Sequence, residues 1–370
     1  MFIAHRKPAK PGPVTAVVVA LACLAASRGL AAEAGPATPP DWPPGAPVAA
    51  AVLVRHGAQS RLALADLAHG SYRELASADE ATVPVWSADG ARLAFRAAKV
   101  LYTVAADQGE PVRVRDGLGT AERAPGGYAL SPNGSLLAVA TPRTLEIYAT
   151  ATAEPVAKLA GDLVLSHLAW SANDRLAACR WNGRRDASSR QSLALFDVRG
   201  GSLTAQPIKG SMDGCEILGL RQDHYVVKRR DADLIEEVVA VAMDGSSRRL
   251  RRLPADVYAQ AYLAGPDAIV AAAGADDEGD ATRLKLYALA GKSHAAWLRR
   301  FRHVIDLQPD VGGDFVLLTS AAAGDAKAGE IFLASADGKT IRRVLPAAGT
   351  TGKSVSFSHP TPRPSPKAQP

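Results

Sequence analysis

Short apolar runs separated by polar turns fill the chain from about residue 50 onward, and no stretch keeps a helical period. The clearest unit reads as four strands: residues 83–86, a turn at Ala88-Asp89-Gly90, then 92–96, 100–105, a turn at Asp107-Gln108-Gly109, and 111–115. Its first turn carries a phrase that returns. Trp86-Ser87-Ala88-Asp89-Gly90 is followed by Leu130-Ser131-Pro132-Asn133-Gly134 and by Trp170-Ser171-Ala172-Asn173-Asp174. Each copy leads into a second small apolar strand, at 92–95, 136–139 and 175–178. Weaker first-strand ends fall at Leu220, Tyr262, Leu307 and Phe357. Units of short strands recurring every ~40–50 residues predict a β-propeller.

The first unit lacks a first strand. It starts at residues 51–55 and continues with 62–67 and 72–75, while the far end of the chain supplies a lone strand at 354–358. Pairing the two removes a pair of open sheet edges. The expected architecture is therefore all-β: a seven-bladed β-propeller of four-stranded antiparallel blades over residues 49–358, closed by the C-terminal strand completing the first blade. The fifth and sixth copies are weak, which leaves six and eight blades open.

The Trp86–Gly90 phrase, followed by Val100-Leu101-Tyr102-Thr103-Val104, resembles the WD-repeat-like repeat of TolB-type propellers over roughly residues 80–200. Ala88 stands where that family usually has proline; Pro132 is present in the next copy. The family's separate N-terminal α/β domain has no room here. The resemblance implies a stand-alone propeller and a protein-interaction module of the cell envelope, although such folds host many roles.

The ends of the chain differ from its middle. His5, Arg6, Lys7 and Lys10 precede an apolar run at 14–26, and Ala32-Glu33-Ala34 follows. Residues 1–34 read as a secretory signal peptide, its apolar run short for a membrane span, so the product is expected in the periplasm or outside the cell. An uncleaved anchor, or Cys23 as a lipoprotein acceptor, is the alternative. Residues 35–48 are expected to be a Pro-rich linker and 359–370 a disordered Pro-rich tail. Beyond the signal two cysteines remain, Cys179 and Cys215. They can pair in an oxidising compartment, but two cysteines do not make a disulfide framework, and two small buried side chains on neighbouring strands is the preferred reading. The net charge of +6 comes from 43 basic residues spread among 37 acidic ones, too mild a bias to predict a nucleic-acid partner.

Chemical signatures are sparse. Arg55-His56-Gly57 after an apolar strand matches the histidine-phosphatase phrase, but no second His partner and no α/β pattern accompany it, so it reads as a strand end with a turn. Asp276-Asp277-Glu278-Gly279-Asp280 lacks calcium-loop spacing and reads as a solvated loop. There is no Gly-x-Ser-x-Gly elbow, no His-Glu-x-x-His and no phosphate-cradling loop. No catalytic residue, metal or cofactor is expected.

Binding residues are better defined. The connections between second and third strands are long and charged in the later units, and loops on a rigid ring are where binding usually lies. Trp181 with Arg184, Arg185 and Arg190, and Arg229 with Arg230, form the expected binding face, Trp181 being the leading contact. Arg248-Arg249, Arg299-Arg300 and Arg342-Arg343 fall in fourth, outermost strands. Arg249, Arg300 and Arg343 would form a basic rim suited to acidic proteins or anionic lipid head groups, or simply guard sheet edges. The sequence thus predicts a monomeric, non-catalytic platform for another envelope protein. The alternative is a lactonase- or lyase-type propeller enzyme whose site at the central channel would draw on Asp162, His167, Asp213, Glu216 and His303.

Overall fold

Each polar turn reverses the chain into a hairpin, so strands stack in chain order into four-stranded antiparallel sheets. The computed structural model describes residues 41–56, 59–77, 84–97, 99–107, 110–117, 127–161, 163–182, 190–208, 212–221, 224–230, 233, 235–253, 261–263, 268–273, 283–289, 294–296, 304–310, 314–321, 329–345 and 355–364.

β1 (Ala49–His56), β2 (Gln59–Asp66) and β3 (Ser71–Ser77) form one sheet with the last strand, β28 (Val355–Pro362), which lies along β1. β4 (Val85–Trp86), β5 (Arg92–Ala97), β6 (Val100–Ala105) and β7 (Val112–Arg115) form the next. A third comprises β8 (Tyr128–Leu130), β9 (Leu136–Ala140), β10 (Thr144–Ala149) and β11 (Pro155–Ala160). β12 (Val164–Ala172), β13 (Arg175–Asn182), β14 (Arg190–Arg199) and β15 (Ser202–Pro207) follow, then β16 (Glu216–Arg221), β17 (His224–Arg230), β18 (Glu236–Ala242) and β19 (Ser247–Arg252). The remaining sheets are β20 (Ala261–Leu263), β21 (Ala268–Ala273), β22 (Arg283–Ala288) with β23 (His294–Ala296), and β24 (Val304–Pro309), β25 (Phe315–Ala321), β26 (Gly329–Ser335) with β27 (Ile341–Leu345).

The first strands are neighbours in the order β4, β8, β12, β16, β20, β24, β28. The Trp86 indole N–H, donating to the Thr361 carbonyl at 3.0 Å, joins the two ends of that series. These are the blades of a β-propeller, and their sheets pack face to face. β1 shows why its sequence is apolar at every position from Ala49 to Val54 rather than at alternate ones. Ala50, Val52 and Val54 pack with Leu317, Ile331 and Leu333 of the β24–β27 sheet, while Ala51 and Leu53 pack with Leu93 and Phe95 of the β4–β7 sheet. Alanines such as Ala94, Ala138 and Ala177 are fully buried where sheets approach closely.

The recurring phrase couples neighbouring blades. Trp170 copies Trp86: its indole N–H donates to the carbonyl of Ala129 on the preceding first strand at 3.0 Å. The turns touch as well, Asp89 N–H donating to Pro132 O (3.0 Å) and Asn133 N–H to Asn173 Oδ1 (3.1 Å). The phrase also occurs outside the first turns of the blades. Ser335-Ala336-Asp337-Gly338 forms the same turn between the third and fourth strands, β26 and β27, where hydrogen bonds from the Ser335 hydroxyl and from Lys339 hold the Asp337 carboxyl below the usual carboxylate range.

Three expected boundaries change. The closing strand runs to Pro362 rather than ending at 358, so the first residues of the expected disordered tail are strand; residues 365–370 lie outside the described residues. Prolines fit there because β28 pairs with β1 on one side only and bulges between its Ala51 and Leu53 pairings, leaving few N–H groups required. Past the strand, the Arg363 N–H donates to Ala49 O (2.8 Å), its Nε to Gly90 O (2.8 Å) and its Nη2 to Asp107 (3.0 Å). The later part of the Pro-rich linker packs down too: Trp42 and Ala46 are buried with Val344 and Leu345, and Arg342 lies over the Trp42 ring and beside Asp41. Finally, β23 occupies His294–Ala296, ahead of Arg299 and Arg300, which lie outside the described residues; its pairing with β22 places the fourth strand earlier than the arginine pattern suggested.

Closure yields two testable expectations. Truncation before Ser354 leaves one edge of β1 open, and gel filtration should show aggregation or an expanded monomer in place of a compact one. Gly90 has φ +68°, and a Cβ there would meet the Pro364 carbonyl at 2.5 Å, whereas Gly117 has φ +70° with open space around it. Gly117→Ala should cost about 1–2 kcal/mol from left-handed strain alone. Gly90→Ala should cost clearly more, measured by denaturant unfolding of both variants.

Candidate functional site

The expected binding face lies at the end of the β12–β15 and β16–β19 sheets where β13 ends and β14 begins. Trp181, half-buried near the end of β13, shares strand parity with Ala177 and Cys179, so it faces the β16–β19 sheet. Arg229, near the end of β17, shares parity with Tyr225 and Val227 and faces back. The two residues that sequence reasoning took from separate loops therefore occupy facing surfaces of adjacent blades. Arg230 follows Arg229, and Arg190 opens β14 opposite Asn182. Arg184 and Arg185 lie outside the described residues.

The segment leading into β16 is fastened to the preceding blade. Cys179 of β13 and Cys215 form a disulfide, with Cα atoms 5.7 Å apart, correcting the preference for two free buried thiols. Two widely separated cysteines gave no pattern, because their meeting depends on how the blades pack. Around the bridge, Cys215 N–H donates to Gln191 Oε1 (2.6 Å), Gln191 N–H to Asp213 Oδ1 (3.1 Å), and Met212 N–H to the Gln191 carbonyl (2.7 Å).

Charges at this corner are matched locally. Arg229 bonds Glu237, itself buried, through Nε and Nη2, both at 2.9 Å, and its Nη1 approaches Met212 Sδ at 3.7 Å. Lys228, on the other face of β17 and buried, lies 2.8 Å from Glu216 and 3.7 Å from Glu236. Arg230 is half exposed and 3.9 Å from Glu236. Sequence reasoning missed Lys228; the signal was a lysine directly after Tyr225-Val226-Val227, which burial forces to find carboxylates. The basic rim is compensated in the same way. Arg249 of β19 approaches Glu237 at 3.9 Å and Arg343 of β27 approaches Glu330 at 3.3 Å, while Arg300 lies outside the described residues.

The residues of the channel-enzyme alternative do not converge among those described. Asp162 and His303 lie outside the described residues. Asp213 and Glu216 make the bonds just given. His167 sits at a β12 bulge with φ 51°, its Nδ1 3.2 Å from Ser166 Oγ. Among the described residues no three His, Cys, Asp or Glu side chains are grouped to hold a metal. His56 ends β1 and bonds Glu74 at 3.0 Å, as a hairpin end rather than a phosphate site would; residues 276–280 lie outside the described residues.

No family model and no curated protein sequence matches the chain. Solved structures do. TolB from Acinetobacter baumannii superposes with a TM-score of 0.52 at 12% identity, over 85% of this chain and 66% of that one. The β-propeller domain of the Trilobed protease from Pyrococcus furiosus, known for an open velcro topology, gives 0.58 at 10% identity over 81% and 92%. Oligogalacturonate lyase from Vibrio parahaemolyticus gives 0.51 at 10% identity over 82% and 87%. The chain thus spans about two thirds of that TolB. These likenesses and the blades define an all-β propeller. Its fold is that of a TolB-like β-propeller, and at such identities the likeness speaks for fold alone.

The pairing at this corner separates structural from available arginines. Among the described residues, Arg229→Met leaves the buried Glu237 carboxylate with Arg249 at 3.9 Å as its remaining cationic partner, and should cost about 3–5 kcal/mol. Arg230→Met should stay within about 0.5 kcal/mol. Chemical denaturation of both variants checks this.

Proposed function

We propose that the chain is a secreted, periplasmic, seven-bladed β-propeller acting as a non-catalytic platform for another envelope protein, with its binding face around Trp181, Arg229 and Arg230. The observation that carries this reading is the fastening of the segment leading into β16, by a disulfide and the Gln191 bonds, beside a half-buried tryptophan. Contacts preorganised in this way lose little entropy on binding, and tryptophan and arginine are the residue types enriched at interaction hot spots. Among the described residues, seven four-stranded sheets with consecutive first strands as neighbours support the blade number. The disulfide and the leader-like residues 1–34 support export to an oxidising compartment. Local pairing of Arg249 and Arg343 makes the rim the weaker candidate for an anionic lipid surface.

A photo-crosslinking residue placed in cells at Trp181 should give one discrete adduct with an envelope protein. The same residue at Tyr72, on β3, should not. Absence of any adduct, together with turnover of a lactone or uronate oligomer that Arg230→Met leaves intact and His167→Ala abolishes, would replace the platform with the channel-enzyme reading. That second reading is favoured by the left-handed backbone of His167, a conformation rare outside glycine.

A further inference from the structure

The charge of the basic rim is compensated unevenly. β19 and β27 are both outermost strands, each with one edge that no strand of its own sheet pairs. Each sets two consecutive arginines there: Arg248 and Arg249 pair with Ala240 and Val239, Arg342 and Arg343 with Leu333 and Phe332. On β27 each arginine has a carboxylate of its own, Asp41 at 2.9 Å from Arg342 and Glu330 at 3.3 Å from Arg343. On β19 neither does. Arg249 is 64% exposed, and the carboxylate it approaches at 3.9 Å, Glu237, is buried and held by Arg229 at 2.9 Å. Arg248 is exposed and makes no ion pair among the described residues. The other described carboxylates of this blade are engaged: Glu216 and Glu236 with Lys228, Asp233 with Arg252, Asp213 with the Gln191 N–H, and Asp244 with Ser246 in its turn. The edge therefore presents surplus positive charge.

Its geometry narrows what that charge fits. Consecutive strand residues point to opposite faces. Arg249 shares a face with Val239, which packs toward the β12–β15 sheet, while Arg248 and Leu250 lie on the face of Val238 and Tyr287, toward the β20–β23 sheet. The two guanidiniums thus flank the edge, one on each side of its outward N–H and C=O groups. A second β19 brought against it would set arginine against arginine, so two copies repel there. An extended segment with consecutive carboxylates does the reverse: one acid meets each arginine, and its main chain takes the edge groups. The β18–β19 register shifts between Arg249 and Arg251, so the strand bulges at Leu250 and the regular edge is short, Ser247–Arg249. It suits a brief acidic run.

We propose that the outer edge of β19 binds an extended acidic segment of another protein by strand addition, with consecutive Asp or Glu side chains on Arg248 and Arg249. The test is a fluorescence-anisotropy titration of labelled hexaglutamate with the full folded chain, hexaglutamine being the uncharged control. It reads this edge without the Trp181 face, so either can fail alone. Hexaglutamate should bind one-to-one, at least about tenfold tighter than hexaglutamine, and weaken at least about fivefold from about 50 to about 300 mM salt. It should slow amide exchange in residues 247–249. Arg248→Gln combined with Arg249→Gln should weaken it at least about fivefold and leave the melting temperature within about 2 °C, since both side chains are exposed. Arg343→Gln should change binding by less than about twofold, because Glu330 already compensates that arginine. No saturable binding, equal binding of the two peptides, or an equal loss in Arg343→Gln would overturn the proposal. Binding confined to phosphatidylglycerol vesicles, with none to the peptide, would overturn it in favour of a lipid surface.

Discussion

A β-sheet tolerates an open edge poorly, and a chain of sheets arranged about an axis has an edge to cover at each end. Here one antiparallel pairing, β28 on β1, covers both. Leu53 faces Ser358 and Val54 faces Phe357 across that pairing, and Phe357 carries the contact onward into the core shared with the β24–β27 sheet. The Trp86 indole and the Arg363 guanidinium then tie the closed sheet to its other neighbour. The remaining interfaces are variations on sheet-to-sheet packing and need the ring closed to hold their spacing. The packed Trp42 segment covers the same seam from outside.

Most of this was legible in the chain because blades repeat. Trp86 and Trp170 mark equivalent strand ends, and their indoles make equivalent bonds. The missing first strand and the surplus last one could be matched from pattern alone, since edge pairing admits few solutions. Proline misled at the margins: Pro360 and Pro362 look like a tail, yet they suit a strand paired on one side and bulged, and Trp42 was hidden among prolines that suggested a linker.

The site was less legible because it is made between blades. Trp181 and Arg229 were singled out as loop residues, and the structure sets them on facing surfaces, but Arg229 is engaged with Glu237 and the disulfide was not foreseen. Pairing of Cys179 with Cys215, and of Lys228 with Glu216 and Glu236, depends on which strands become neighbours, which no local pattern states. The turn between β12 and β13 is the opposite case. Its copy of the phrase is one residue shorter, so Trp170 pairs with Leu176 where Trp86 pairs with Leu93, and that difference could be counted in the repeat itself.

Closure by the last strand also governs the order in which the molecule is made. Ala51 and Thr361 are paired partners at nearly opposite ends of the chain, so the first blade cannot finish until the last residues exist. Contacts of such long separation pay their loop-closure entropy late and slow the final folding step. During synthesis, β1–β3 remain an incomplete sheet with an adhesive edge. A chain of this design stays open and threadable for as long as its final segment is withheld, and becomes a ring only on release.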